Sequence, residues 1–297
     1  MMEKKSLLAG KRIAVIGGTG NLGGLLAKKL AAVESIGGVV ATGRDAEKLR
    51  KLAQDFEGAG AGGLETSTDN VQAVQEADIV LLCVKPQQMK DVVGEIGRAV
   101  ACGSVRVHGK LFVSVAAGVS LSFLERELEG AAIVRCMPNL CASIGLSQTA
   151  VATNSKNGEG KIAREMLSLL GKTYEVEEKQ VAVWTSVCAS GPAFLVKAAQ
   201  AGMEEQVMLA CMQKALCKEK FEKGFAGEIA RKVLHATKKL MLSSEESGWE
   251  FVARVASKKG TTEAGLEAGG EFSRAEDLDA AFEAAKLRAK EIEESFA

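Results

Sequence analysis

The apolar positions of this 297-residue chain fall into two textures that change over near residue 180. In the first, short β-branched runs alternate with longer stretches whose apolar residues recur at helical spacing. Arg12–Ile16 predicts a strand, and a glycine cluster follows it at once. Leu22–Val33 carries leucine and alanine at helical spacing, Gly38–Thr42 reads as a second strand, and Asp45–Phe56 as a second helix with Asp45 as its N-cap. Strand, helix, strand, helix in so short a span is the signature of a parallel sheet with right-handed crossovers. Ala77–Val84, Leu111–Val115 and Ala131–Cys136 are nearly continuous apolar runs, as strands covered on both faces should be, and Ala150–Thr153 is a further candidate.

The first half therefore has the layout of a doubly wound α/β, Rossmann-type dinucleotide-binding domain. From about Val181, strand-like runs give way to segments rich in alanine, lysine and glutamate, punctuated by Gly191-Pro192, Gly224, Gly248, Gly260 and Gly269-Gly270. That half reads as all-helical. The expected division is 1–176 for the α/β domain and 177–297 for the helical one. The glycine–alanine run Gly58–Gly63 is expected to be a surface loop.

Gly18-Thr19-Gly20-Asn21-Leu22-Gly23 is a GxGxxG that leaves a predicted strand and opens a predicted helix. The context is what the chemistry needs: a helix N-terminus offers free N–H groups to a pyrophosphate. Gly18 is expected to make the tight turn, Gly20 to let the ligand approach backbone, and Gly23 to let helix and strand pack closely. An NAD site usually closes its second strand with an acid for the ribose. Here the sequence is Thr42-Gly43-Arg44-Asp45. Arg44 could clamp a 2′-phosphate, favouring NADP(H), while Asp45 could serve NAD(H) through the ribose or simply cap the helix.

Charge and composition narrow the function classes. Thirty-eight basic residues balance 38 acidic ones, so nothing draws the chain to nucleic acid or to an anionic membrane surface. No apolar run of about 20 residues is expected to span a bilayer. Seven cysteines without a CxxC pair, in a chain 47% apolar, suggest reduced thiols in a cytoplasmic protein, with Cys83 and Cys188 as small core hydrophobes. With two histidines there is little material for a metal site, and none is expected.

Five further motifs stand in order: Val84-Lys85-Pro86-Gln87, Ser114-Val115-Ala116-Ala117-Gly118, Arg135-Cys136-Met137-Pro138-Asn139, Ser190-Gly191-Pro192-Ala193, and Gly260-Thr261-Thr262 continuing to Leu266. Together they resemble the pyrroline-5-carboxylate reductase family, from Arg12 to about Arg288. The resemblance implies an N-terminal dinucleotide domain, a C-terminal helical domain that dimerises, and reduction of the cyclic imine 1-pyrroline-5-carboxylate to proline with NAD(P)H. It implies that Gly18 to Gly23, with Gly43 and Arg44, hold the cofactor, and that Val84, Lys85, Pro86, Ala116, Ala117, Gly118 and Asn139 line its cleft. Glu177 or Glu178 would match an acidic pair ahead of the Ser-Gly-Pro segment. Gly260, Thr261 and Thr262 would bind the substrate, with the Thr262 hydroxyl at the ring nitrogen. The expected partners are the small imine and a second copy held through the C-terminal helices, a dimer being the unit of any higher oligomer.

Two departures keep alternatives open. Lys258 and Lys259 stand where the family pattern has proline and glycine. They either favour a substrate with a second carboxylate or point to solvent, and a lysine in a glycine's left-handed position would be strained. The stretch 204–223 looks longer than in the family, with Met203, Val207, Met208, Cys211, Met212 and Leu216 at helical spacing, expected as dimer core. Arg135 reads equally as a structural ion pair or a substrate contact. A reductase of another imine, a deazaflavin-dependent NADP reductase and a catalytically silent NADP-binding dimer are the competing readings; the Gly-Pro and Gly-Thr-Thr segments count against the second.

Overall fold

A computed structural model of the chain describes residues 6–57 and 63–296, so the expected loop at Gly58–Gly63 lies, but for its last residue, outside the described residues. Two compact units are present: the chain up to Cys136 with Val151–Leu169, and Met137–Ala150 with Leu170–Phe296.

The first unit alternates strand and helix: β1 (Arg12–Ile16), α1 (Asn21–Ala31), β2 (Gly38–Thr42), α2 (Ala46–Glu57), β3 (Leu64–Ser67), α3 (Asn70–Glu76), β4 (Ile79–Leu82), α4 (Pro86–Ala101), β5 (Leu111–Ser114), α5 (Leu121–Glu127) and β6 (Ala132–Met137). After β7 (Ser147–Ala152), α6 (Glu159–Leu167) completes it. The sheet order is β3-β2-β1-β4-β5-β6-β7-β8, where β8 is Gly171–Glu175. The pairings from β3 to β6 are all parallel. Strand order reverses between β1 and β4, the switch point beside which doubly wound sheets bind ligands at strand C-termini. Ile13, Val15, Val80, Leu81 and Phe112 are fully buried, which is why these strands read as unbroken apolar runs.

Beyond the strands the second unit is helical: α7 (Val181–Trp184), a π-helical stretch Thr185–Ser190, α8 (Gly191–Gln200), α9 (Glu205–Lys218), α10 (Lys223–Leu242), α11 (Gly248–Val255), α12 (Thr261–Gly269) and α13 (Ala275–Glu294). Phe194 anchors the unit, its ring 5.7 Å from Phe282 and 6.0 Å from Phe272.

Two expectations change here. Glu178–Gln200 is one 23-residue helical run with an 18-residue window of mean hydropathy 1.3, long and apolar enough to cross a bilayer, where no such run was expected. Its apolar window is 89% buried inside the protein, so the burial of a core helix accounts for its composition. Met208, Cys211, Met212 and Leu216 of α9, expected as dimer core, are buried in their own chain, where α9 packs on α10 and α13.

Candidate active site

The turn between β1 and α1 opens on a cavity of about 640 Å³ in the first unit, lined by Gly17, Thr19, Gly20, Gly43, Arg44, Val84 and Lys85 among others. Each glycine has its own reason. Gly17 sits at φ +85°, with Val84 and Cys83 so close that a side chain would collide, so the left-handed turn falls on Gly17 and not on Gly18 as expected. A Cβ on Gly18 would stand 2.6 Å from that of Ala41, which makes it the close contact of the turn with β2. A Cβ on Gly23 would overlap the Gly17 carbonyl oxygen, the helix–strand contact expected of it. Gly20 has nothing nearer than 3.4 Å and leads into α1 without a side-chain cap. The N–H groups of α1 are left for an anion, and that open cradle fits a dinucleotide pyrophosphate.

At the end of β2 the two candidate ribose residues separate. Arg44 lines the cavity; Asp45 does not. Asp45 Oδ1 accepts the backbone N–H groups of Glu47 and Lys48, each at 3.1 Å, and so caps α2. The Lys48 N–H holds the Asp45 carboxyl below its ordinary value. Gly43 is glycine because the Thr19 side chain lies 2.7 Å from where its Cβ would be.

Several cavity residues were not singled out from the sequence: Thr68, Asn70, Gln88 and Arg98. Thr42, fully buried at the end of β2, donates to Asn70 Oδ1 at 2.6 Å, and Asn70 Nδ2 donates to Glu95 at 3.0 Å. The visible clue was Asp69, which caps α3 through the Gln72 N–H at 2.9 Å and thereby sets Asn70 at that helix's first position. Lys85 is an exposed residue leading into α4, with Pro86 in the first turn. Ala116, Ala117 and Gly118 follow β5; Gly118 needs its glycine at φ +69°, and none of the three lines the cavity.

Asn139 belongs to the second unit. Its side chain donates to the Cys188 carbonyl at 2.8 Å and accepts the Cys141 N–H at 3.2 Å, tying the π-helical stretch to the turn Leu140–Ile144. In the same unit Ser190, Thr261 and Thr262 are buried together: the Ser190 and Thr261 hydroxyl oxygens are 2.9 Å apart, and Thr262 Oγ1 donates to Ser190 Oγ at 3.0 Å. Gly260 leads into α12 with no side-chain cap. Lys259 does occupy a left-handed position, φ +57°, held by its N–H on Glu263 at 2.5 Å and by Arg288 Nε on its carbonyl at 3.1 Å. The side chains of Lys258 and Lys259 are exposed. Glu177 shares a capping box with Gln180 and pairs with Lys179 at 2.5 Å, a contact that lowers its pKa. Arg135 is 1% exposed within β6. Among the described residues, no group of three or more His, Cys, Asp or Glu is placed to hold a metal ion.

Comparison with known proteins places this architecture. Residues 12–118 match the family described as NADP oxidoreductase coenzyme F420-dependent, and residues 178–292 match pyrroline-5-carboxylate reductase dimerisation. The pyrroline-5-carboxylate reductase of Methanosarcina acetivorans is 31% identical over 232 residues, 77% of this chain and 78% of the relative. The chain belongs to the pyrroline-5-carboxylate reductase family. The reductase of Corynebacterium melassecola is 30% identical over 86% of this chain and 88% of its own. Among solved structures, the reductase from Coxiella burnetii has a TM-score of 0.60 at 25% identity, covering 95% of this chain and 98% of its own. A Plasmodium falciparum pyrroline carboxylate reductase solved with NADP bound has a TM-score of 0.57 at 18% identity over the same shares, a likeness of fold. The second-half match decides against the deazaflavin-dependent reading, which rests on the first half alone.

Proposed function

We propose that this chain reduces 1-pyrroline-5-carboxylate to proline, taking its electrons from NADPH. The observation that carries the cofactor choice is the division of labour at the end of β2, where Arg44 faces the cavity and Asp45 is tied into a helix cap. Guanidinium geometry suits a 2′-phosphate, and no free carboxylate closes β2 to favour the bare ribose. NADPH, when bound, supplies the hydride that converts the C=N bond to an amine.

The chain's own part is to hold and orient. The turn Gly17–Gly23 and the N-terminus of α1 hold the pyrophosphate, with Gly43 and Arg44 at the adenosine end and Val84, Lys85 and Pro86 along the cleft. Gly260, Thr261 and Thr262 hold the imine, the backbone N–H groups of α12 on its carboxylate and the Thr262 hydroxyl on its ring nitrogen. Few titratable groups are needed, because a protonated imine already carries the charge that attracts hydride. We place the boundary of the two functional domains at 176/177, just ahead of the matched dimerisation segment.

The dimer is assigned to the C-terminal helices. A groove of about 460 Å³ in the second unit is lined by Leu195, Val196, Leu234, Met241 and Leu242 among others, and Leu242 is 86% exposed. So large an exposed apolar side chain beside an apolar groove suits a partner surface, here a second copy.

Steady-state NADPH oxidation with pyrroline-5-carboxylate tests the assignment. Thr262→Ala is expected to lower kcat about tenfold or more while NADPH affinity is kept. Unchanged turnover would remove Thr262 from the site.

A further inference from the structure

The hydroxyl cluster of the second unit holds one residue to which the reaction gives no role. Ser190 ends the π-helical stretch Thr185–Ser190 and is 1% exposed. Such wide turns are uncommon and recur at functional sites, because the extra residue re-aims the side chains that follow it. This one is pinned by named bonds. Thr185 Oγ1 donates to the Val181 carbonyl at 2.8 Å, Ser186 Oγ donates to the Phe282 carbonyl at 2.5 Å, and the Cys188 carbonyl accepts from Asn139 at 2.8 Å. The outcome is that Ser190 Oγ meets both threonines at the start of α12, at 2.9 Å from Thr261 Oγ1 and 3.0 Å from Thr262 Oγ1.

We propose that Ser190 is a positioning residue for the reduction, fixing the rotamer and the hydroxyl proton of Thr262. The inference rests on the reading of Thr262 given above. A hydroxyl has one proton to donate, and that of Thr262 is given to Ser190. Thr262 Oγ1 thus keeps its lone pairs for a donor, and the N–H of a protonated imine is such a donor. Ser190 Oγ is also hydrogen-bonded to Thr261 Oγ1, so the three hydroxyls form one connected chain in which each link polarises the next. Without Ser190 the Thr262 hydroxyl is buried with no fixed direction, and the ring nitrogen meets a rotor rather than an aimed acceptor.

Ser190→Ala and Ser190→Cys test this together, since cysteine keeps the volume but is a weak hydrogen-bonding partner. Both are expected to lower kcat about tenfold with the KM for NADPH unchanged and the unfolding transition still cooperative. Introduced into Thr262→Ala, neither should lower kcat further, because the group that Ser190 aims is gone. Wild-type kcat in Ser190→Cys, or losses that multiply in the double variant, would overturn the proposal and leave Ser190 as packing. Full activity of Thr262→Ala by itself would instead overturn the reading on which the proposal rests, so the two failures are distinguishable.

Discussion

Arg44 and Asp45 are neighbours in sequence, yet their environments assign them opposite work. Asp45 spends its carboxylate on the first turn of α2, whereas Arg44 lines the cavity. Arg44→Ala is therefore expected to weaken NADPH binding by roughly 10–100-fold, the worth of charged hydrogen bonds, while NADH binding changes little. Titration by cofactor fluorescence with both nucleotides reads the ratio, and equal loss would make Arg44 a general structural residue. The cysteines divide by environment in the same way. Burial pushes the Cys83 and Cys141 thiols up to about 12 and holds that of Cys188 well above its ordinary value, while the Ser104 hydroxyl lowers that of exposed Cys102. A lowered pKa means more thiolate at neutral pH, so Cys102 should be the fast thiol toward a disulfide reagent. Its rate should climb with pH toward the ordinary thiol range, and Cys102→Ser should remove the fastest phase.

At the scale of elements, the loop Ser257–Gly260 shows what one departure from the family pattern costs. Lys259 is in the left-handed region, and its strain is offset by Glu263 on its N–H and Arg288 on its carbonyl. Lys259→Gly should raise stability by about 1 kcal/mol, read as a higher denaturant midpoint. A lower midpoint would mean that the lysine side chain itself contributes. The strain was legible in the sequence, because a lysine stood where the pattern asks for glycine; the two bonds that hold it were not, since Arg288 lies 29 positions away. Strands β3 and β8 went unread for a related reason. Leu-Glu-Thr-Ser and Gly-Lys-Thr-Tyr-Glu contain no fully buried residue, so they lack the apolar runs by which β1, β4 and β5 are recognised.

For the whole molecule, the consequential surface is the apolar groove of the second unit. Replacing Leu242 by aspartate places a charge in it and should shift the protein from dimer toward monomer in sedimentation at micromolar concentration. An unchanged distribution would move the dimer contact away from this groove. The helix Glu178–Gln200 shows how composition misleads at this scale. By length and hydropathy it would span a membrane, and only its burial among the helices of its own unit identifies it as core.

The sequence by itself determined the winding of the first half, the glycine turn, the family and the strained lysine. The first two follow from local spacing, and the last two from the resemblance of five ordered motifs to a known family pattern. Tertiary structure alone decided that the left-handed glycine is Gly17, that Asp45 is a cap, that Asn70 reaches the cavity, and that Ser190 meets Thr262 across 72 residues. Those outcomes depend on which atoms a neighbouring element brings within hydrogen-bond reach, and spacing along one segment carries no record of that distance.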